Sequence, residues 1–194
     1  MPAIGGEPTY IAAATAADVD RFVADVDQKV GAYTVINSGA MPTGGAYLIT
    51  ATVTATDTAD TPGTLVLVGT DLQDTVQTET LTLAVGSTVS STKYFKTLTS
   101  ATGAGWVIDA AEGSEDRITV GCGASACCHF GDGVLLRVIV SETAAGAITF
   151  ADATGTLAVI KASVAEMGFE LGVNFKSYLT VTTAAASKVT VVTA

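Results

Sequence analysis

The sequence predicts an all-β protein: two tandem β-sandwich (jelly-roll/Ig-like) units, preceded by an N-terminal arm and one short helix. Three observations carry this expectation. Short segments rich in Val, Ile, Thr, Tyr and Phe alternate with period two and are separated by Gly, Pro and Asp turns, the pattern of half-buried strands. One phrase occurs twice: KYFKTLTSATGAG at Lys93–Gly105 returns as NFKSYLTVTTAAASKVTVV at Asn174–Val192. Hydrophobic residues make up 48% of the 194 and charged residues 14%, which is apolar enough to bury a core.

Residues 1 to about 14 hold Gly, Pro and Ala without a period. They read as an arm, ordered only where something holds it. In TAADVDRFVADVDQKV, the apolar residues Val19, Phe22, Val23, Val26 and Val30 form a helical stripe. Thr15 is in place as N-cap, with Asp18 three residues on. A strand is expected to start near Lys29, in KVGAYTVI. This arm and helix span 1–38.

The first β unit spans 39–123. AYLITATVTA alternates, TADTPG turns at Pro62 and Gly63, and TLVLVGT and TVQTETLTL follow around a polar DLQD turn. TKYFKTLTS, GWVI and DRITVGC complete it. Residues 124–132 read as a linker. The second unit, 133–194, repeats the order: GVLLRVIVSE answers GAYLITATVTA and AITFAD answers TLVLVGTD. TLAVIKAS, MGFELGV, SYLTVTT and KVTVVTA then follow. Such self-similarity marks a duplicated unit. In the shared phrase, Phe95 and Phe175 are expected to face the core, and Lys96 and Lys176 the solvent.

Chemistry-bearing residues are few. Cys122, Cys127, Cys128 and the single histidine, His129, cluster in CGASACCHFGDG. No C-x-x-C pair is present, and adjacent ligands strain a tetrahedral shell, so no metal site is assigned. The cysteines read as small buried apolar residues; a bond from Cys122 to Cys127 or Cys128 in an oxidising medium is the other reading. Neighbouring residues on a strand face opposite ways, so Cys128 and His129 do not form a nucleophile pair. The acidic residues Asp57, Asp60, Asp71, Asp74, Glu112, Glu115, Asp116, Glu142 and Asp152 lack the spacing of a calcium loop and read as solvated turn carboxylates. Trp106 reads as a core or rim residue. SATGAGWV lacks the Lys-Ser/Thr pair of a phosphate loop. No catalytic residue, metal ligand or cofactor is assigned.

The net charge is −10, with 9 basic residues. This disfavours nucleic acid, which needs a basic stripe, and anionic membranes. No apolar run approaches the roughly 20 residues of a spanning helix. No secretory pattern is visible, so folding is expected in the cell that makes the chain.

LVLVGTDLQDTVQTETLTL, VSSTKYFKTLTSATGAG and DRITVGCG, with GVLLRVIV and AGAITFADATG in the second half, resemble segments of tailed-bacteriophage virion structural proteins. The resemblance runs from about Gly31 to the end and is one of pattern. It implies a non-enzymatic head decoration (cement) protein that binds and stabilises the capsid shell. A tail-tube, neck or other tail component is the next reading, and a fibre or adhesion module the one after. The implied partners are the major capsid protein or other virion proteins and further copies of the chain, with neither nucleic acid nor membrane. The implied location is the virion, assembled in the host cytoplasm.

Overall fold

The computed structural model describes residues 7–12, 17–54, 61–107, 116–142, 146–183 and 187–194. Fifteen strands occur among them: β1 (Glu7–Ala12), β2 (Asp18–Asp27), β3 (Gly31–Ala32), β4 (Ala46–Thr54), β5 (Thr64–Thr70), β6 (Val76–Thr82), β7 (Thr88–Phe95), β8 (Thr97–Ala104), β9 (Arg117–Phe130), β10 (Gly133–Glu142), β11 (Ile148–Asp152), β12 (Gly155–Ile160), β13 (Met167–Phe175), β14 (Tyr178–Thr183) and β15 (Lys188–Thr193). The one helical element described is a 3-10 turn at Asn37–Gly39.

The chain divides into two compact units. The first holds Ala17–Met41 and Tyr47–Gly123, and the second Met1–Ala16, Pro42–Ala46 and Ala124–Ala194. In the first, one sheet has the order β2-β9-β4-β7 and the other β3-β8-β5-β6. In the second, the sheets are β1-β15-β10-β13 and β9-β14-β11-β12. β9 counts in both, with residues 117–123 in the first unit and 124–130 in the second.

Numbering eight strands within each unit gives the same order twice, 1-8-3-6 and 2-7-4-5. That is the jelly roll, an all-antiparallel double sheet built from Greek keys. The duplication expected from the sequence is thus present strand for strand: β4 pairs with β7 as β10 pairs with β13. In the same way, β5 lies between β6 and β8 as β11 lies between β12 and β14.

Period-two alternation builds each sheet. Along β4, Tyr47, Ile49, Ala51 and Val53 are buried, and the residues between them are at least partly exposed. Leu65 and Leu67 of β5 do the same, as do Val189 and Val191 of β15. Phe95 ends β7 at 0% exposure and Phe175 ends β13 at 2%. Each reaches across to the other sheet of its own unit. A Cβ added at Gly69 of β5 would lie 3.0 Å from the Phe95 ring, and the His129 ring meets Phe175 edge-on at 5.0 Å.

Three expectations need correction. The helix expected from TAADVDRFVADVDQKV is strand β2. Of its supposed apolar stripe, Phe22 and Val23 are buried, whereas Val19, Val26 and Val30 are 53%, 38% and 65% exposed. Valine is β-branched and favours strands. β2 pairs with β9 through an irregular register, Asp18 to Cys122 but Val23 to Val120. Bulges of this kind remove the period of two from the sequence. The small residue opposite is required: a Cβ on Gly121 would run into the backbone of Asp18 and Val19.

The second correction concerns 124–132. Most of the expected linker is strand, because β9 continues to Phe130. The third is that TKYFKTLTS is two strands. β7 ends at Phe95, β8 begins at Thr97, and Lys96 is the corner at which the chain crosses between sheets. Lys176 and Ser177 make the matching corner between β13 and β14. The arm, in turn, is strand β1 over Glu7–Ala12. Thr15, the expected helix cap, lies outside the described residues.

Each corner phenylalanine is a large, fully buried side chain at its sheet crossing. Phe95→Ala and Phe175→Ala are each expected to destabilise the protein by about 3–5 kcal/mol, read from denaturant unfolding followed by circular dichroism. A loss under about 1 kcal/mol at either position would show that the corner is not a packing anchor.

Candidate functional site

The segment with the most chemistry, 122–130, is built into the sheets. Cys122, Cys127 and Cys128 are free thiols and all are buried. The Cys127 thiol donates to the His129 carbonyl at 3.3 Å, and that of Cys128 to the Leu179 carbonyl on the neighbouring strand at 3.4 Å. Burial pushes the Cys122 thiol up to about 11 and the Cys127 thiol up to about 12, and it raises Cys128 further still. A reactive cysteine needs the opposite environment, one that favours thiolate. The His129 side chain has other partners. Its Nδ1 lies 3.0 Å from the Thr193 hydroxyl on β15, and its ring packs on Phe175. These contacts join the two sheets of the second unit. Among the described residues, no group of three or more His, Cys, Asp or Glu is placed to hold a metal ion.

Two of the acidic residues that read as solvated are buried instead, Asp116 before β9 and Asp152, which stands at the repeated corner. Asp152 is buried at the end of β11. Its Oδ1 accepts from the Thr154 backbone and hydroxyl, both at 2.7 Å, and from the Gly155 N–H at 3.2 Å. Its Oδ2 accepts from the Lys176 N–H at 2.9 Å. These bonds, the Thr154 hydroxyl foremost, hold its carboxyl below the usual carboxylate range. Asp132 accepts from the next N–H, that of Ser177, at 2.8 Å.

Asp71 stands at the matching place in the first unit, accepting from the N–H groups of Gln73 and Thr75, each at 2.9 Å. There the corner N–H of Lys96 bonds the Thr70 carbonyl instead, at 2.8 Å, and the Lys96 ammonium pairs with Asp74 at 2.8 Å. Both aspartates are turn-formers. Asp57, Asp60, Glu112 and Glu115 lie outside the described residues. Glu142 pairs with Lys188, and Trp106 is half-buried beside the bridge between Thr61 and Val107.

Among the described residues, grooves open in each unit. One, of about 600 Å³, lies on the second unit's sheet among Leu136, Arg137, Ile139, Glu170, Leu171 and Val192. Arg137 Nε meets Glu170 Oε1 at 2.6 Å across the β10–β13 ladder, and Ile139 and Met167 are exposed on these same strands. The ladder is irregular between Leu135 and Arg137, which turns Arg137 outward. This face went unassigned in the sequence. Its visible signal was an arginine inside the apolar run LLRVIV and a glutamate inside GFELG. Another groove, of about 290 Å³, lies in the first unit beside Val23, Val26, Lys29 and Tyr33. The Tyr33 hydroxyl exchanges hydrogen bonds with the Lys29 backbone at 3.0 and 3.2 Å, and the Lys29 ammonium sits 5.4 Å from its ring.

Two measurements check this description. Folded protein at pH 8 should leave all three thiols unreacted towards a chromogenic disulfide, and guanidinium should release all three. A thiol that reacts fast in the folded state would contradict the burial. A carboxylate with a depressed folded pKa contributes stability above its unfolded pKa, and that stability is lost as pH falls through the folded value. The loss of thermal stability in Asp152→Asn should therefore be full at neutral pH and shrink below about pH 4. A pH-independent loss would show that charge is not what holds the corner.

Comparison with protein families, with curated proteins and with solved structures finds no match to this chain.

Proposed function

We propose that the protein is a non-enzymatic virion structural protein, and specifically a head decoration protein that binds and stabilises a capsid shell. One observation carries the reading: the chain devotes its strands to two copies of one jelly roll, and its most reactive side chains serve the packing of those copies. The thiols are held protonated in the core, His129 bridges two sheets through Thr193 and Phe175, and Asp71 and Asp152 shape turns. Jelly rolls are a common architecture of viral shells, and that link is one of fold-level analogy.

Charge and surface add to the reading. A net charge of −10 keeps the protein from packaged or free nucleic acid. A decoration protein requires a rigid body and a partner face. The groove crossed by the Arg137–Glu170 pair offers such a face, with Leu136, Ile139 and Leu171 lining it. Weak contacts of this size gain strength by repetition over a shell.

Quantitative mass spectrometry of purified virions tests the proposal. The expected result is about one copy, or about one third of a copy, per major capsid subunit, as lattice symmetry requires. A few copies per particle would move the protein to the neck or tail, and its absence from particles would overturn the reading.

A further inference from the structure

The second jelly roll is not made from contiguous chain. Seven of its strands, from the second half of β9 through β15, follow one another from Ala124 to the end. Its first strand is β1, from the far end of the sequence. In the first unit the same position is filled by β2, which directly precedes the rest of that unit. The difference arises at β9: residues 117–123 are the eighth strand of the first unit and residues 124–130 the second strand of the next. No chain is left between them for a local first strand.

Among the described residues, β1 is bound on one side only. It is the edge of its sheet, paired antiparallel to β15 from Glu7 opposite Thr193 to Ala12 opposite Lys188. Without it, β15 would present a free row of backbone donors and acceptors over those six residues, a template for another strand. The segment that fits this edge in register is present on every copy of the chain.

We infer that β1 is an exchangeable strand, and that copies of this protein assemble with residues 7–12 of one chain paired to β15 of another. The closed and exchanged forms share the same ladder and differ only in the path of residues 13–17, which join β1 to β2. Exchange of an identical element is a low-cost route to oligomers. Each chain gives one strand and accepts one, so the exchange is reciprocal in a closed dimer, or head-to-tail in a ring or a running chain of copies. The inference stands apart from the virion proposal, because it concerns contacts between copies wherever the protein resides.

Engineered cysteines read the exchange directly. Tyr10 and Thr190 are register partners, and directly opposed strand residues lie within reach of a disulfide. Chains carrying only Tyr10→Cys are mixed at high concentration with chains carrying only Thr190→Cys, warmed, cooled and oxidised. The expected product is a Y10C–T190C heterodimer, seen on a non-reducing gel and confirmed by peptide mass spectrometry. Val76→Cys, on a side chain 72% exposed, measures random collision. Heterodimer no more abundant than with V76C would overturn the inference.

The double variant Y10C/T190C gives an independent reading. Oxidised at high dilution it is locked shut, and it should then remain monomeric at concentrations where its reduced form associates. Equal association of the locked and reduced forms, or no association of the reduced form at any concentration, would likewise overturn it.

Discussion

Strand β9 is the constraint on which the rest of the structure depends. Its fourteen residues close one jelly roll and open the next without a turn. A strand that serves two units must be packed along its length, and its side chains are correspondingly small. Gly121 and Cys122 are buried in succession, as are Ala126, Cys127 and Cys128. At Gly121 even a methyl group would strike the backbone of β2. The cysteines are therefore best understood by volume: each fills a tight apolar place that a larger residue would overpack. The cost of a two-unit strand appears at the N-terminus, where β1 must supply what the chain could not provide locally.

The two units solve the same corner differently. Both carry a phenylalanine into the core and cross between sheets at the following lysine, and both have an aspartate turn after the fourth strand. In the first unit the backbone N–H of the lysine goes to a carbonyl, while its side chain pairs with Asp74 in solvent. In the second, carboxylates take the N–H groups of both Lys176 and Ser177. Ser177 has a positive φ of 68°, a conformation that side chains other than Gly, Asn and Asp seldom adopt. Two carboxylate bonds on adjacent amides hold the backbone there. The two repeats thus anchor this corner differently: the first through an exposed ion pair, worth little, the second through charge-assisted bonds to the backbone, one of them from the buried Asp152.

How much of this could be read from the residues depended on burial. AYLITATVTA and TLVLVGT show a clean alternation because one face of each strand meets the core and the other meets solvent. The repeated Phe-Lys phrase was visible because it is a local solution used twice. β2 was hidden because its bulged register puts Phe22 and Val23 in the core side by side, so valines on both faces imitate a helical stripe. The second half of β9 was hidden for another reason: a strand packed along its length with Gly, Ala, Ser and Cys has the composition of a linker. The pairing of β1 with β15 joins residues about as far apart as the chain allows, and no local pattern reports such a contact. The groove at Arg137 and Glu170 was legible only as two charges out of phase with their strands.

Those two charges bear on what the outer faces are for. On an isolated surface, the Arg137–Glu170 pair would add little to stability, since it is exposed and screened. Placed across an apolar groove, it does something else. Arg and Glu neutralise one another there, so the face can be covered without stranding an unpaired charge. Alternation along β10 leaves Ile139, two residues from Arg137, partly in solvent on the same face, where its partner on β15 is the small hydroxylated Thr190. The sheet face around the pair thus keeps Ile139 partly outward and balances its own charges. The perturbed thiols, by contrast, are sealed in the core.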